Sequence, residues 1–105
     1  MYSTIHSDGS SAVDPPLASL PDLLGELSTA DREHGDVAVV HEQSGWSLSA
    51  HRDGRLVLEH LSEGGERHMK PVSKERILEL WHLLIRGEPD AVLAEPWQAG
   101  YLAKQ

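Results

Sequence analysis

Apolar and polar residues alternate through residues 46–60, and the alternation is interrupted at residues 52–54. A period of two is typical of a strand with one buried face, and the interruption predicts a hairpin. A three-residue loop that ends with a left-handed Gly54 would pair Leu48 with Leu58. A two-residue turn would slip the register by one residue and turn apolar side chains to the polar face. We therefore predict two antiparallel strands with one apolar and one polar face.

Leucines at helical spacing precede this hairpin, at positions 20, 23, 24 and 27. The spacing places them on one stripe and predicts a helix over residues 19–30. Ser19 and Asp22 match a capping box at its start. Gly25 weakens the helix by about 1 kcal/mol relative to alanine, so packing must hold it.

A second helix is predicted to begin after Ser73, which is a favoured N-cap residue. Gly87 and Pro89 are expected to end it after Arg86. Its apolar stripe consists of Ile77, Leu80, Trp81 and Leu84, widened by Leu78 and Ile85.

Three further segments complete the expected fold. Residues 36–42 are β-branched and predict a strand. Residues 67–72 predict a short strand in which Pro71 marks the end or a sheet edge, and residues 91–97 predict a last strand or an extended segment. Residues 1–16 are rich in Ser, Asp, Gly and Pro, which is typical of a disordered acidic arm. We expect residues 17–105 to form a single α+β domain, a two-layer sandwich in the order α-β-β-β-β-α. Its three- to four-stranded antiparallel meander would carry both helices on one face.

The charge distribution bears on the kind of partner. The chain of 105 residues has a net charge of −8, and residues 1–31 carry five acidic side chains and no Lys or Arg. This disfavours nucleic acid, whose phosphates attract basic surfaces, and favours encounter with a basic protein. There is no apolar run long enough for a membrane span, no visible signal peptide and no cysteine. We therefore expect a cytoplasmic protein with a protein partner, without predicting its oligomeric state.

Candidate chemistry is sparse. Four of the seven histidines, His41, His51, His60 and His68, fall one to a predicted strand. They lack the closely spaced ligand pairs of a closed zinc site, so we predict no metal, no cofactor and no catalytic residue. A small ligand- or metal-binding domain that uses these histidines stays an alternative.

The tryptophans have different expected roles. Trp81 lies on the apolar stripe of the second helix and is expected in the core, and Trp46 in the core or at the sheet rim. Trp97 follows Pro96 in a weakly patterned region, where an aromatic side chain is a candidate interface anchor. We predict a partner-binding surface that includes Trp97, Tyr101, Asp22 and Glu26.

The order of these features resembles a family of small bacterial immunity proteins from polymorphic toxin systems. The similarity covers residues 19–97 and consists of a leading leucine-rich helix, a strand meander, and a helix followed by glycine, proline and a final tryptophan. The matching residues are Leu23, Leu24 and Leu27, then Asp53-Gly54, then Gly87, Pro89 and Trp97. The Gly-to-Pro spacing is one residue shorter than in that pattern. The resemblance implies a non-enzymatic inhibitor that masks a cognate toxin.

A second interpretation is a secretion chaperone of the type III kind, which is also small, acidic and built from helices and strands. Its apolar helix faces and strand edges would hold an effector segment in extended form. We would expect such a chaperone to be a dimer.

Overall fold

One antiparallel sheet organises the fold. The structure is a computed structural model, and it describes residues 2–28 and 36–99. Within these residues the strands are β1 Tyr2–Ile5, β2 Ser11–Val13, β3 Asp36–His41, β4 Trp46–His51, β5 Leu56–His60, β6 Gly64–Met69 and β7 Gln98–Ala99. Their spatial order is β2-β1-β3-β4-β5-β6-β7, and every neighbouring pair is antiparallel.

Helices connect and cover this sheet. The described residues form the α-helices α1 Leu20–Gly25, α2 Lys74–Ile85 and α3 Pro89–Leu93, and short 3-10 turns at Leu17–Ser19 and Glu26–Ser28. The α+β class is as predicted, but the predicted order α-β-β-β-β-α is wrong: β1 and β2 precede the first helix, the sheet has more strands than the predicted meander, and α3 follows α2.

The β4–β5 hairpin has the predicted register. Leu48 pairs with Leu58, and Gly54 has a φ of +92°. The His51 N–H donates to the Arg55 carbonyl at 2.8 Å, and the Gly54 N–H donates to the His51 carbonyl at 2.9 Å. These bonds close a three-residue loop whose left-handed glycine matches the twist of the strands.

The core lies between one face of the sheet and the helices. The strands contribute Val37, Val39, Leu48, Ala50, Leu56, Leu58 and Met69, and the helical segments contribute Leu20, Leu23, Leu24, Leu27, Ile77, Leu80, Trp81, Leu84 and Val92. Trp81 is fully buried as predicted, and its ring N–H donates to the Leu48 carbonyl at 3.0 Å. This bond satisfies the indole and joins α2 to the centre of the sheet.

The opposite face of the sheet is less polar than predicted. Val57, which the alternation places on that face, is only 1% exposed, and Ala38 and Val40 are buried as well. Val57 belongs to an inner strand, and its cross-strand neighbours on the same face are Ser49 and His68.

The prediction of a disordered arm over residues 1–16 is wrong for its strand residues. Tyr2 and Thr4 are buried, and β1 pairs with β3 along its whole length. The Tyr2 N–H donates to the Asp14 carboxylate at 2.9 Å, and the Asp14 N–H donates to the Tyr2 carbonyl at 2.7 Å. The polar composition conceals these strands: β2 pairs with the nearby β1, and β1 joins the sheet through β3, which lies far along the chain.

The first helix is shorter than predicted. It covers Leu20–Gly25 and continues only as the 3-10 turn Glu26–Ser28, while residues 29 and 30 lie outside the described part of the chain. The Ser19 side chain does not cap it, because the Ser19 backbone is itself helical, with φ −82° and ψ −11°, and its hydroxyl donates to the Pro16 carbonyl at 2.6 Å. The leucine stripe nevertheless faces the core.

The second helix follows the prediction closely. The Ser73 hydroxyl accepts the Arg76 N–H at 3.2 Å, and Gly87 has a φ of +81° just beyond the helix end. A serine cap and a left-handed glycine satisfy the backbone groups that the helix ends leave unpaired.

Two predictions in the second half of the chain are wrong. The strand expected at residues 67–72 exists with other bounds: it covers Gly64–Met69, and Gly64 and Gly65 at its start have positive φ values beside an irregular pairing with β5. At residues 91–97 we expected a strand or an extended segment, but the first residues of this range belong to α3, whose first turn contains Pro89. The strand β7 begins only after this range.

Candidate functional site

A surface groove lies where α3 and the segment after it meet the end of the sheet. It has a volume of about 480 Å³, which is within the range of ligand-binding clefts. Its lining residues are Gly65, Glu66, Arg67, Leu93, Glu95, Trp97 and Gln98. We call it the Trp97 groove.

Trp97 is held in a fixed orientation. Its ring N–H donates to the Val92 carbonyl at 2.8 Å, and its backbone N–H donates to the Glu95 carbonyl at 2.8 Å. The side chain is half-buried, and it packs against the edge of the core. A tryptophan that is already ordered loses little conformational entropy when a partner covers it.

Arg67 is the basic residue of the groove. Its guanidinium carbon lies 5.4 Å from the centroid of the Trp46 ring, at a distance suited to a cation–π contact. Trp46 in turn meets the His60 ring edge-on at a centroid distance of 5.0 Å. Between residues 2–28 and 36–99, no carboxylate forms an ion pair with Arg67.

Glu95 is bonded to α2. Its carboxylate accepts a hydrogen bond from the Arg76 guanidinium at 2.5 Å, and Arg76 also donates to Glu79 at 3.0 Å. The hydrogen bonds to Glu79 and Glu95 raise the pKa of Arg76. Arg76 offsets part of the charge of the two carboxylates, and its bond holds the Glu95 carboxylate toward α2.

The predicted partner-binding residues lie in different elements of the fold. Trp97 lines the groove, whereas Asp22 is exposed on α1 and does not line it. The Glu26 carboxylate accepts the Ser7 N–H at 3.0 Å and lies 2.6 Å from the His6 ring. Tyr101 lies outside the described residues.

The pKa of Glu26 follows from these contacts. Burial by itself would raise it, but the Ser7 N–H and the His6 ring together hold it below its ordinary value. Glu26 therefore acts in the fold, where it joins the β1–β2 connection to the turn after α1.

The strand histidines lie on both faces of the sheet. His41 and His60 are the cross-strand partners of Trp46. The alternation along the strands places His51 and His68 on the opposite face, away from the helices. Across the described ranges there is no group of three or more His, Cys, Asp or Glu side chains that could hold a metal ion. The His60 ring accepts the Ser62 and Glu63 N–H groups at 3.3 and 3.2 Å, so it orders the β5–β6 turn.

The sequence singled out Trp97, which lines the groove, and did not single out Arg67, which lines it as well. The residue falls in a predicted strand, and its importance depends on Trp46, which is contributed by a different strand of the sheet. A cross-strand alignment of β4, β5 and β6 would have placed Arg67 in the row of Leu58, on the face that also carries Trp46.

Comparison of the chain with protein families, with curated proteins and with solved structures finds no match. The similarity to immunity proteins therefore stays a prediction. None of the described helices has the length and apolar character that a bilayer crossing requires.

Proposed function

We propose that this chain is a non-enzymatic protein-binding domain that acts as an immunity-type inhibitor of a cognate bacterial toxin. The observation that carries the proposal is the Trp97 groove, which is lined by a half-buried, hydrogen-bonded indole and by the Arg67 side chain. Trp and Arg are the residues most enriched among the side chains that dominate interface binding energy. The groove provides both on a rigid support.

The acidic surface supports the proposal that the target protein is basic. Asp8, Asp14 and Asp22 are exposed, and they belong to the part of the sequence that has no Lys or Arg. Such a field accelerates encounter with a positively charged partner, and salt screens it. Asp22 is the suitable residue for testing this, because Glu26 is bonded to His6 and Ser7. We expect Asp22→Asn to slow association and to weaken its salt dependence, and an unchanged association rate would limit Asp22 to a role in solubility.

The test is co-expression in a bacterial host with the toxin candidate that a neighbouring gene encodes. The wild-type chain should restore growth, and Trp97→Ala should weaken its binding by about 30-fold or more, as loss of an interface anchor does. Leu17→Ala is the matched control, because Leu17 is an exposed apolar residue that does not line the groove. Thermal unfolding of both variants should show that they are folded.

Two results would contradict the proposal. Failure of the wild-type chain to protect the host would remove the immunity function. A toxin that is inactivated with a change in its covalent mass would indicate an enzyme, whereas an inhibitor leaves the toxin mass unchanged and acts at a stoichiometric ratio.

A further inference from the structure

The charges of the Trp97 groove indicate what kind of segment it accepts. Arg67 is half-buried, and its observed contact is with the face of the Trp46 ring. The face of an aromatic ring attracts the cation, but it has no lone pair that could accept the guanidinium N–H groups. Those donors need oxygen acceptors, and a carboxylate fits their planar geometry with two parallel hydrogen bonds.

The two carboxylates that line the groove do not supply these acceptors. Glu95 is bonded to Arg76 on α2. Glu66 precedes Arg67 on β6, and successive side chains of a strand point to opposite faces of the sheet. Among the described residues, the Arg67 guanidinium on the helix side of the groove therefore has no carboxylate within ion-pair distance.

The apolar part of the groove lies next to this charge. Leu93 and Trp97 line it, and both side chains are partly buried against the core. Apolar walls exclude water from a neighbouring ion pair, which strengthens the pair relative to one at a fully exposed site.

We propose that the Trp97 groove binds an extended segment of the protein partner in which an Asp or Glu lies next to an apolar residue. The carboxylate is held by Arg67, and the apolar side chain lies against Trp97. This inference rests on the proposed function for the nature of the partner. It is compatible with a basic target, because net charge governs encounter at long range and Arg67 acts only on contact.

The experiment uses the full chain and three peptides that differ in one residue: acetyl-Leu-Glu-Leu-amide, acetyl-Leu-Gln-Leu-amide and acetyl-Leu-Lys-Leu-amide. Binding is followed by the nitrogen–proton NMR signals of the Trp97 indole and the Arg67 side chain, with Trp97→Phe used for assignment. The Glu peptide should shift both signals at about 10 mM, a concentration that detects millimolar binding. The Gln peptide should bind about tenfold more weakly, because it lacks the charge-assisted hydrogen bonds.

Two variants separate charge from geometry. Arg67→Gln should weaken binding of the Glu peptide by about tenfold, and Arg67→Lys should restore it only in part because an ammonium cannot form the planar pair. Lys70→Gln is the matched control, since it removes one positive charge from an exposed position just after β6. Its affinity for the Glu peptide should stay close to that of the wild-type chain.

A stronger response to the Lys peptide, or no shift of the Trp97 signal with the Glu peptide, would overturn the inference. The two proposals fail differently. If protection from the toxin depends on Trp97 but the peptides show no preference for Glu, the immunity function stands and the acidic segment is wrong. If the Glu peptide binds at Arg67 but no protection occurs, the ligand chemistry stands and the immunity function is wrong.

Discussion

Replacing Gly54 with alanine tests the loop that fixes the hairpin register. Gly54 has a φ of +92°, a conformation that an L-residue adopts only with strain of about 1–2 kcal/mol. A β-carbon there would lie 3.1 Å from the Val72 carbonyl oxygen and 3.4 Å from the Pro71 β-carbon. The Val72 N–H donates to the Gly54 carbonyl at 3.2 Å. The Val72 carbonyl oxygen therefore belongs to a hydrogen-bonded residue whose backbone resists displacement.

Backbone strain and the close contact together give an expected loss of about 2 kcal/mol in the free energy of unfolding. Urea denaturation should show this as a midpoint lowered by about 1 M, with an unchanged slope. Gly25→Ala is the matched control, because Gly25 is in α1 and nothing lies within 4 Å of the added β-carbon. Alanine has the higher helix propensity, so this variant should be more stable by up to about 1 kcal/mol.

The signs of the two changes are the informative result. A Gly54→Ala chain as stable as the wild-type chain would refute the left-handed loop and the close approach of the hairpin tip to Val72. A Gly25→Ala chain that loses stability would show that the site near α1 is more crowded than the structure indicates.

Three further predictions concern stability. Trp81→Phe removes the ring N–H that the buried Leu48 carbonyl accepts, so thermal unfolding should show a loss of about 2–3 kcal/mol, and a loss below about 0.5 kcal/mol would contradict the bond. The pKa of Glu26 is lower in the folded chain than in the unfolded chain. Its contribution to the free energy of unfolding is therefore fully present above the unfolded-state pKa of about 4.3, and it is lost as the pH falls through the folded-state pKa. Urea unfolding of Glu26→Gln should therefore lose less stability on acidification than the wild-type chain does, and Asp22→Asn should follow the wild-type curve. Burial lowers the pKa of His51, so the unfolded state takes up protons first and stability should fall as the pH drops below about 6.5. His51→Gln should reduce that slope between about pH 7.5 and 5.5, and an unchanged slope would place its cause at another group.

Local signals explain which parts of the fold were predictable. The β4–β5 hairpin and α2 follow from residues that are neighbours in sequence: the alternating strands, the loop glycine, the Ser73 cap and the glycine after α2. Each of these features depends on residues that lie only a few positions apart in the sequence. The local sequence pattern and the structure therefore agree there.

The N-terminal β1–β2 hairpin joins the sheet through the non-local pairing of β1 with β3. Residues 2–5 become a strand because β3 presents a free edge, and the sequence near them reads as a polar arm. The segment that contains α3 was ambiguous for another reason. A short apolar run fits both a strand and a helix, and Pro89 in a first helical turn decides for the helix.

The candidate site shows the same division. Trp97 could be singled out because an aromatic residue after Pro96 has no evident place in a regular element. Arg67 could not, since its contact with Trp46 and the pairing of Glu95 with Arg76 depend on how the strands and helices meet.

The most direct test of the central claim is the environment of the Trp97 indole in the purified complex with the toxin. We predict nuclear Overhauser effects between the Trp97 ring protons and protons of the toxin, which would place the groove within the interface. A complex in which the Trp97 signals match those of the free chain, while signals from a different surface change, would contradict the account.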